Sequence, residues 1–172
     1  MELCLKNIWE DLLEQRPIGL TANFFESGGD SLLAARLCVS IERTFGWKMP
    51  LATLFQAATI KQQARLLRTK RPHGQWPSLV PIRPSGPKLP LFMVHLADGN
   101  VLAYRDIVRH LPADQPIFGL QSRGLDRVSR INMRLEDMAR DYVSEIRQFH
   151  PNGPYALCAW SFGGLVAYEM AR

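Results

Sequence analysis

A cluster of prolines in the middle of the chain constrains its fold more than any other feature. Six of the twelve prolines lie between residues 72 and 90. Proline lacks an amide hydrogen and has a fixed φ, so this density prevents a helix and favours an extended, semi-rigid connector. The sequence therefore predicts two structural regions, residues 1–70 and 79–172, with a Pro-rich linker over residues 71–78.

Before the linker, apolar residues recur at helical spacing. One amphipathic segment covers Leu5–Leu13, a second runs from Ser31 to Gly46, and a short third surrounds Leu54. Thr59–Gln62 has the form of a capping box, which opens a fourth helix. Four short helices with one shared apolar face predict a small all-α four-helix bundle.

Beyond the linker, short apolar strands alternate with helical patterns. This alternation is typical of a parallel α/β sheet. The expected strands are Leu91–His95, Ile117–Leu120 and Tyr155–Ala159, and the expected helices are Val101–Leu111, Leu135–Phe149 and the segment from Phe162 onward.

Composition excludes several classes of function. The net charge of +5 comes from scattered residues, without the basic stripe and interleaved aromatics of a nucleic-acid site. No stretch approaches the roughly 18 apolar residues of a membrane helix. The three cysteines form no CxxC pair, and we find no metal-ligand, Walker or dinucleotide motif. We expect a cytoplasmic monomer that binds no metal, nucleic acid or membrane.

The first serine of interest lies at a helix start. Ser31 stands in the sequence Asn23-Phe24-Phe25-Glu26-Ser27-Gly28-Gly29-Asp30-Ser31-Leu32. A serine there could simply cap the helix. The flanking residues favour a functional role instead, since the glycines give access to the hydroxyl and the helix N-terminus stabilises a phosphodiester.

This segment is similar to the peptidyl carrier (thiolation) domains of nonribosomal peptide synthetases, and the similarity covers the whole helical region. The resemblance implies that Ser31 carries covalent 4′-phosphopantetheine, with Asp30 and Leu32 as its flanking motif. It also implies three sets of partners: a phosphopantetheinyl transferase, upstream condensation and adenylation domains or subunits, and an acyl or peptidyl thioester substrate.

The second serine of interest follows the last expected strand. Ser161 stands in Ala159-Trp160-Ser161-Phe162-Gly163-Gly164, the pattern of a nucleophile elbow with alanine at the usual first glycine. A tight strand-to-helix turn capped by Ser161 is the alternative. His95–Asn100, after the first expected strand, occupies the place of an oxyanion-hole loop.

Residues 79–172 resemble the N-terminal part of a type I thioesterase domain, an α/β-hydrolase that follows the carrier at the end of these synthetases. The resemblance implies that Ser161 is the nucleophile and that the backbone N–H groups of Phe162 and Ala97 hold the oxyanion. The family's loop reads His-Pro-Ala-Gly-Gly; Leu96 and Asp98 replace its proline and first glycine here.

The general base of such an enzyme is missing from the sequence. In this fold the acid and the histidine follow the serine, yet no Asp or His follows Ser161. We interpret the four histidines, His73, His95, His110 and His150, as surface or structural residues and not as a relocated base. The sequence therefore predicts a hydrolase domain truncated after the elbow, with an open sheet edge, low stability and no product release by this chain alone.

Four interpretations remain open. The chain is a fragment of a longer synthetase that carries and releases a peptide by hydrolysis or cyclisation, or a carrier-only binding module with an inactive thioesterase remnant. It could also be the equivalent end of a hybrid polyketide synthase, or a structural interaction domain that uses neither serine.

Overall fold

A computed structural model describes residues 1–69, 78–123 and 134–172 of the chain. The chain divides into two compact units, Met1–Gln75 and Trp76–Arg172. The division falls within the proline cluster, and residues 71–77 of the expected linker lie outside the described residues.

The first unit is helical. It contains α1 (Glu2–Leu13), α2 (Ser31–Phe45), α3 (Thr53–Gln56) and α4 (Ile60–Thr69). Gly46 ends α2 in the left-handed region with φ 65°, where glycine avoids the steric cost of a Cβ. The capping box at α4 forms as predicted, because the Gln62 N–H donates to Thr59 Oγ1 and the Thr59 N–H donates to Gln62 Oε1.

The apolar faces of these helices form the core of the first unit. Among the described residues, its fully buried apolar side chains are Leu5, Trp9, Phe24, Ala34, Leu37, Ile41, Leu54, Ile60 and Ala64. Two polar groups in this core are paired: Trp9 Nε1 donates to Gln63 Oε1 at 3.0 Å, and Gln63 Nε2 donates to the Ala57 carbonyl at 3.1 Å. Pairing removes the large cost of burying a polar group alone.

The second unit contains a four-stranded sheet. Its strands are β1 (Leu79–Arg83), β2 (Leu91–Val94), β3 (Ile117–Leu120) and β4 (Ala156–Ala159), in the order β1-β3-β2-β4. The central strand β2 is parallel to both β3 and β4, whereas β1 is antiparallel to β3. The three predicted strands are parallel to one another as expected, but the prediction of an entirely parallel sheet is wrong, because the additional strand β1 makes the sheet mixed.

Strand β1 escaped prediction because it lies inside the proline cluster. Pro81 sits within the strand, where it faces Phe118 of β3, and the pairing is irregular between Pro81 and Arg83. Proline cannot donate a ladder hydrogen bond, but β1 lies at the edge of the sheet formed by the described strands and needs no partner on its outer side. The same prolines that predict a connector are thus compatible with one short edge strand.

The helices of the second unit are α5 (Tyr104–Val108), α6 (Leu135–Phe149) and α7 (Phe162–Ala171). Helix α5 is shorter than predicted, because turns closed by Asn100 Oδ1 and the Val101 carbonyl occupy the segment before it. Helix α6 packs on α7, and their apolar faces join the sheet in one core. That core comprises Phe92, Val94, Phe118, Leu120, Met138, Tyr142, Ile146 and Val166.

Among the described residues, no helix combines the length and the hydropathy needed to cross a bilayer.

Candidate functional site

The structure places Ser31 at the first residue of α2, with its side chain exposed. Asp30, not Ser31, is the N-cap: its Oδ1 accepts a hydrogen bond from the Leu33 N–H at 2.8 Å. The alternative in which Ser31 caps the helix is therefore wrong. Because its neighbour meets the capping requirement, the Ser31 hydroxyl is left for another use.

The double glycine before Ser31 has a reason in the fold itself. A Cβ at Gly29 would lie 2.4 Å from the Phe24 ring and 2.6 Å from the Phe24 carbonyl oxygen, so only glycine fits. Gly28 has φ 92°, a conformation that other residues rarely adopt. Phe24 in turn packs edge-on against Trp9, with ring centroids 5.0 Å apart. The glycines thus fix the turn that presents Ser31, beyond the access that the sequence suggested.

The residues around Ser31 fit a phosphodiester. The hydroxyl stands at the positive end of a 15-residue helix with no acidic residue in its first turn. The Asp30 carboxylate is engaged by the Leu33 N–H. Leu32 is 70% exposed beside the serine, which leaves an apolar contact open to a partner.

Ser161 lies between β4 and α7 in a strained backbone conformation. Its φ of 55° and ψ of −128° fall in a region that non-glycine residues avoid. Such a residue costs about 1–3 kcal/mol and persists where the surrounding structure imposes it. Its side chain is exposed and makes no capping hydrogen bond. This combination is the geometry of a nucleophile elbow.

Gly163 allows α7 to begin directly on the end of β2. A Cβ there would lie 2.5 Å from the His95 carbonyl oxygen and 2.8 Å from that of Val94, so a side chain cannot be accommodated. Gly164, by contrast, has open space at its Cβ position. Only the first of the two glycines is therefore required by packing.

The segment after β2 leaves the sheet beside the elbow. Strands β2 and β4 are parallel with Val94 opposite Ala159, so residues 95–97 and 160–162 leave the sheet at the same edge. The rings of His95 and Phe162 are 6.0 Å apart between centroids. Among the hydrogen bonds of the described residues, none uses the N–H of Ala97 or Phe162.

The loop after His95 is a turn with its own internal hydrogen bonds. The Gly99 N–H donates to the Leu96 carbonyl at 3.0 Å, and Gly99 has φ 77°. Asp98 Oδ1 accepts from the Asn100 N–H at 3.0 Å. The replacement of the family's glycine by Asp98 therefore supplies a side-chain hydrogen bond inside this turn.

His95 is 1% exposed and sits behind the loop. Its Nε2 lies 2.9 Å from the Tyr142 hydroxyl, and its Nδ1 contacts the Leu96 carbonyl oxygen. Burial lowers the pKa of His95, although the Leu96 carbonyl and Asp98 act in the opposite direction. Burial also raises the pKa of Tyr142 well above its usual range. Tyr142 lies within the predicted helix Leu135–Phe149, but sequence reasoning could not find its contact with His95.

His150 does not reach this site. It ends α6, where its N–H donates to the Ile146 carbonyl, and it precedes β4, whereas Ser161 follows β4. The two residues therefore lie beyond opposite ends of strand β4. Among the described residues, no group of three His, Cys, Asp or Glu side chains is arranged to hold a metal ion.

Comparison with known domain families covers most of the chain. Residues 5–67 match the family model for a phosphopantetheine attachment site. Residues 89–172 match the family model for a thioesterase domain. These matches confirm a carrier domain followed by a thioesterase domain, and covalent 4′-phosphopantetheine as the prosthetic group.

Similar proteins are nonribosomal peptide synthetases. Malpibaldin synthetase from Mortierella alpina is 38% identical over 99% of this chain, and a dimodular nonribosomal peptide synthase from Bacillus subtilis is 37% identical over 99%. The chain spans only 3% and 7% of those two proteins. A solved four-domain nonribosomal peptide synthetase bound to AMP and glycine matches 99% of this chain and 13% of its own, with 30% identity and a TM-score of 0.55.

Proposed function

Since residues 5–67 belong to the phosphopantetheine-attachment family and residues 89–172 to the thioesterase family, we propose a carrier role coupled to thioesterase-type release. Ser31 is the attachment residue for 4′-phosphopantetheine, flanked by Asp30 and Leu32. Ser161 is the acyl-transfer nucleophile. The partners are a phosphopantetheinyl transferase and the condensation and adenylation domains of a synthetase.

The observation that carries the release function is the backbone of Ser161. A strained, exposed serine follows a strand of the sheet, and the loop of residues 95–97 leaves the sheet beside it. A capping role would need neither the strain nor the exposure. The observation that carries the attachment function is the exposed Ser31 hydroxyl at a helix start that Asp30 already caps.

Each half contributes its own chemistry to this proposal. The prosthetic group, when bound, supplies a thiol that holds an acyl or peptidyl chain as a thioester. Asp30 fixes the first turn of α2 and so keeps Ser31 at its positive end. Ser161 Oγ is directed at an acyl carbonyl carbon, and the N–H groups of Ala97 and Phe162 donate to the oxygen as negative charge develops there.

Among the described histidines, neither His95 nor His150 is placed to act as the general base of Ser161. No Asp or His follows it in the sequence. His95 Nε2 already contacts Tyr142, and His150 lies beyond the other end of β4. General-base assistance is typically worth roughly 10²–10⁴-fold in rate. We therefore predict that this chain alone does not release a thioester above background.

The domain limits follow the same proposal. Residues 1–70 form the carrier as a four-helix bundle, residues 71–78 the linker, and residues 79–172 the N-terminal part of the thioesterase domain. This arrangement is supported by the two family matches and by the proline cluster between them.

Loading of the prosthetic group tests the role of Ser31. A phosphopantetheinyl transferase with coenzyme A should add one phosphopantetheine by intact-mass analysis. The addition should disappear in Ser31→Ala and persist in Ser161→Ala, which serves as the matched control. No addition, or an addition that survives Ser31→Ala, would contradict the carrier proposal.

The loaded chain then tests release. We expect no turnover of an acyl group on Ser31 and no labelling of Ser161 by a fluorophosphonate probe. Labelling that vanishes in Ser161→Ala, together with turnover, would show that the chain activates its serine unaided. His95 and His150 would then be the first residues to substitute.

A further inference from the structure

A chain of polar contacts runs behind the loop that follows β2. It joins the Tyr142 hydroxyl of α6 to the His95 ring, and the His95 ring to the Leu96 carbonyl. The His95 backbone is held independently, since its N–H donates to the Leu120 carbonyl at 2.9 Å and its own carbonyl lies against Gly163. The hydrogen bond of the His95 side chain therefore holds the Leu96 carbonyl in the loop after β2, and the strand does not need it.

The partners of the ring determine where its hydrogen lies. A carbonyl oxygen only accepts hydrogen bonds, so Nδ1, which contacts the Leu96 oxygen, must be the protonated nitrogen. Burial lowers the pKa of His95 and favours the neutral ring. Nε2 is then an acceptor, and the Tyr142 hydroxyl donates to it. The Gln121 carbonyl, 3.1 Å from that hydroxyl, competes for the same hydrogen.

The peptide group between Leu96 and Ala97 connects the His95 side chain to the candidate oxyanion site. The Leu96 carbonyl and the Ala97 N–H belong to the same planar trans peptide, so they point in opposite directions. Two donors hold the Leu96 carbonyl: His95 Nδ1 and the Gly99 N–H. Hydrogen bonds that fix the Leu96 carbonyl therefore also fix the direction of the Ala97 N–H, which points away from that carbonyl. Ala97 itself is exposed.

We propose that Tyr142 and His95 are positioning residues that aim the Ala97 N–H at the developing oxyanion. Tyr142 holds the ring with Nδ1 protonated, and His95 Nδ1–H holds the Leu96 carbonyl. Neither side chain contacts the substrate. The inference rests on the proposed function, because it takes Ala97 as the oxyanion donor.

A purely packing role for the pair makes a different prediction. In a packing role, the buried contact between His95 and Tyr142 would stabilise the second unit. Its loss would lower the free energy of unfolding without a specific change at the Leu96–Ala97 peptide. Positioning instead requires a hydrogen-bond donor at the place of Nδ1. Substitutions that keep or remove that donor therefore separate the two roles.

The test is nuclear magnetic resonance of the full chain labelled with ¹⁵N. In the wild-type protein we expect His95 to carry its hydrogen on Nδ1. In Tyr142→Phe, the Ala97 amide resonance should shift. The His95 Nδ1–H signal, which should exchange slowly in the wild-type protein, should disappear. Tyr104→Phe is the matched control, because its buried hydroxyl donates to the Val94 carbonyl and not to His95. It should leave both signals in place.

Variants of His95 complete the test. His95→Leu should shift the Ala97 resonance, whereas His95→Asn, whose amide can donate to the Leu96 carbonyl, should restore it toward the wild-type position. A hydrogen on Nε2 in the wild-type protein would overturn the proposal. So would an Ala97 resonance that responds equally to His95→Leu and His95→Asn.

These readouts do not depend on reaction at Ser161. Loading of Ser31 tests the carrier proposal, and labelling of Ser161 with turnover would contradict the prediction that this chain alone releases no thioester. A failure of the positioning role appears instead in the resonances of His95 and Ala97, which can be recorded whichever way those two experiments end.

Discussion

The two units build their candidate sites from different kinds of contact. In the helical unit, the turn before Ser31, the cap and the serine itself all come from one continuous segment, Phe24–Leu33. In the α/β unit, Ser161 follows β4, Ala97 follows β2, and Tyr142 comes from α6. The geometry of the Ser31 site therefore depends on the folding of one short segment. The geometry of the Ser161 site depends on the assembly of the whole sheet and of α6.

The packing of the two units differs in the same sense. The helices of the first unit bury their apolar faces against one another. Strand β4, just before Ser161, is partly exposed along its whole length. Near it, Trp160, Leu165 and Tyr168 are 67%, 60% and 73% exposed. The first unit also exposes single apolar side chains, such as Leu3 at 71% and Leu32 at 70%, so the contrast lies in β4 itself, none of whose side chains is fully buried. A strand that buries little apolar area gains little free energy on folding, so we expect β4 to be less stable than the helices of the first unit.

The largest expected difference is in hydrogen exchange of the whole chain. Amides within α1 and α2 should exchange at least about 100-fold more slowly than those of β4, which corresponds to roughly 3 kcal/mol in opening free energy. The reason is that β4 pairs with β2 alone among the described strands and has an open outer edge. Mass spectrometry of exchanged peptides would measure it.

Strand β2 provides the internal reference for that experiment. It is paired on both sides and carries three buried side chains, so its protection should exceed that of β4. Equal and strong protection of β4 and of the helices would mean that its edge is covered in solution, for example by a second copy of the chain. Dependence of that protection on protein concentration would identify the second copy.

A smaller effect is expected from paired glycine substitutions in both units. Gly163→Ala and Gly29→Ala each force a Cβ against backbone atoms, so each should destabilise its own unit by about 1–3 kcal/mol. The matched controls, Gly164→Ala and Gly19→Ala, meet open space. They should be neutral or slightly stabilising, because alanine restricts the unfolded chain more than glycine does.

Denaturation followed separately in each unit would measure these four variants. If the units are as distinct as we infer, Gly29→Ala should leave the transition of the second unit unchanged. A loss of stability in Gly164→Ala that equals that in Gly163→Ala would contradict the close approach of α7 to β2.

The smallest effect is expected at the cap of α2. Asp30→Ala removes the acceptor of the Leu33 N–H and should destabilise the helical unit by about 1 kcal/mol. Asp30→Asn is the control, since asparagine caps helices about as well as aspartate. Urea denaturation monitored by circular dichroism would detect the difference. Equal stability of Asp30→Ala and Asp30→Asn would argue against the cap.

Much of the fold was accessible from sequence because it depends on neighbours along the chain. The helical spacing of apolar residues predicted α1, α2, α4 and α6, and the Thr59–Gln62 pattern predicted a capping box that the structure contains. The Gly-Gly-Asp-Ser and Ser-Phe-Gly motifs located both serines. Each signal lies within one turn or one strand, where residue type and backbone conformation are directly linked.

Tertiary structure decided what sequence could not. Strand β1 forms despite Pro81 because β3 offers it an edge, and its direction makes the sheet mixed. Gly163 is required because α7 meets β2, and Tyr142 meets His95 across 47 positions of sequence. Such contacts depend on which elements pack together once the sheet is assembled. A local pattern of residues therefore does not predict them.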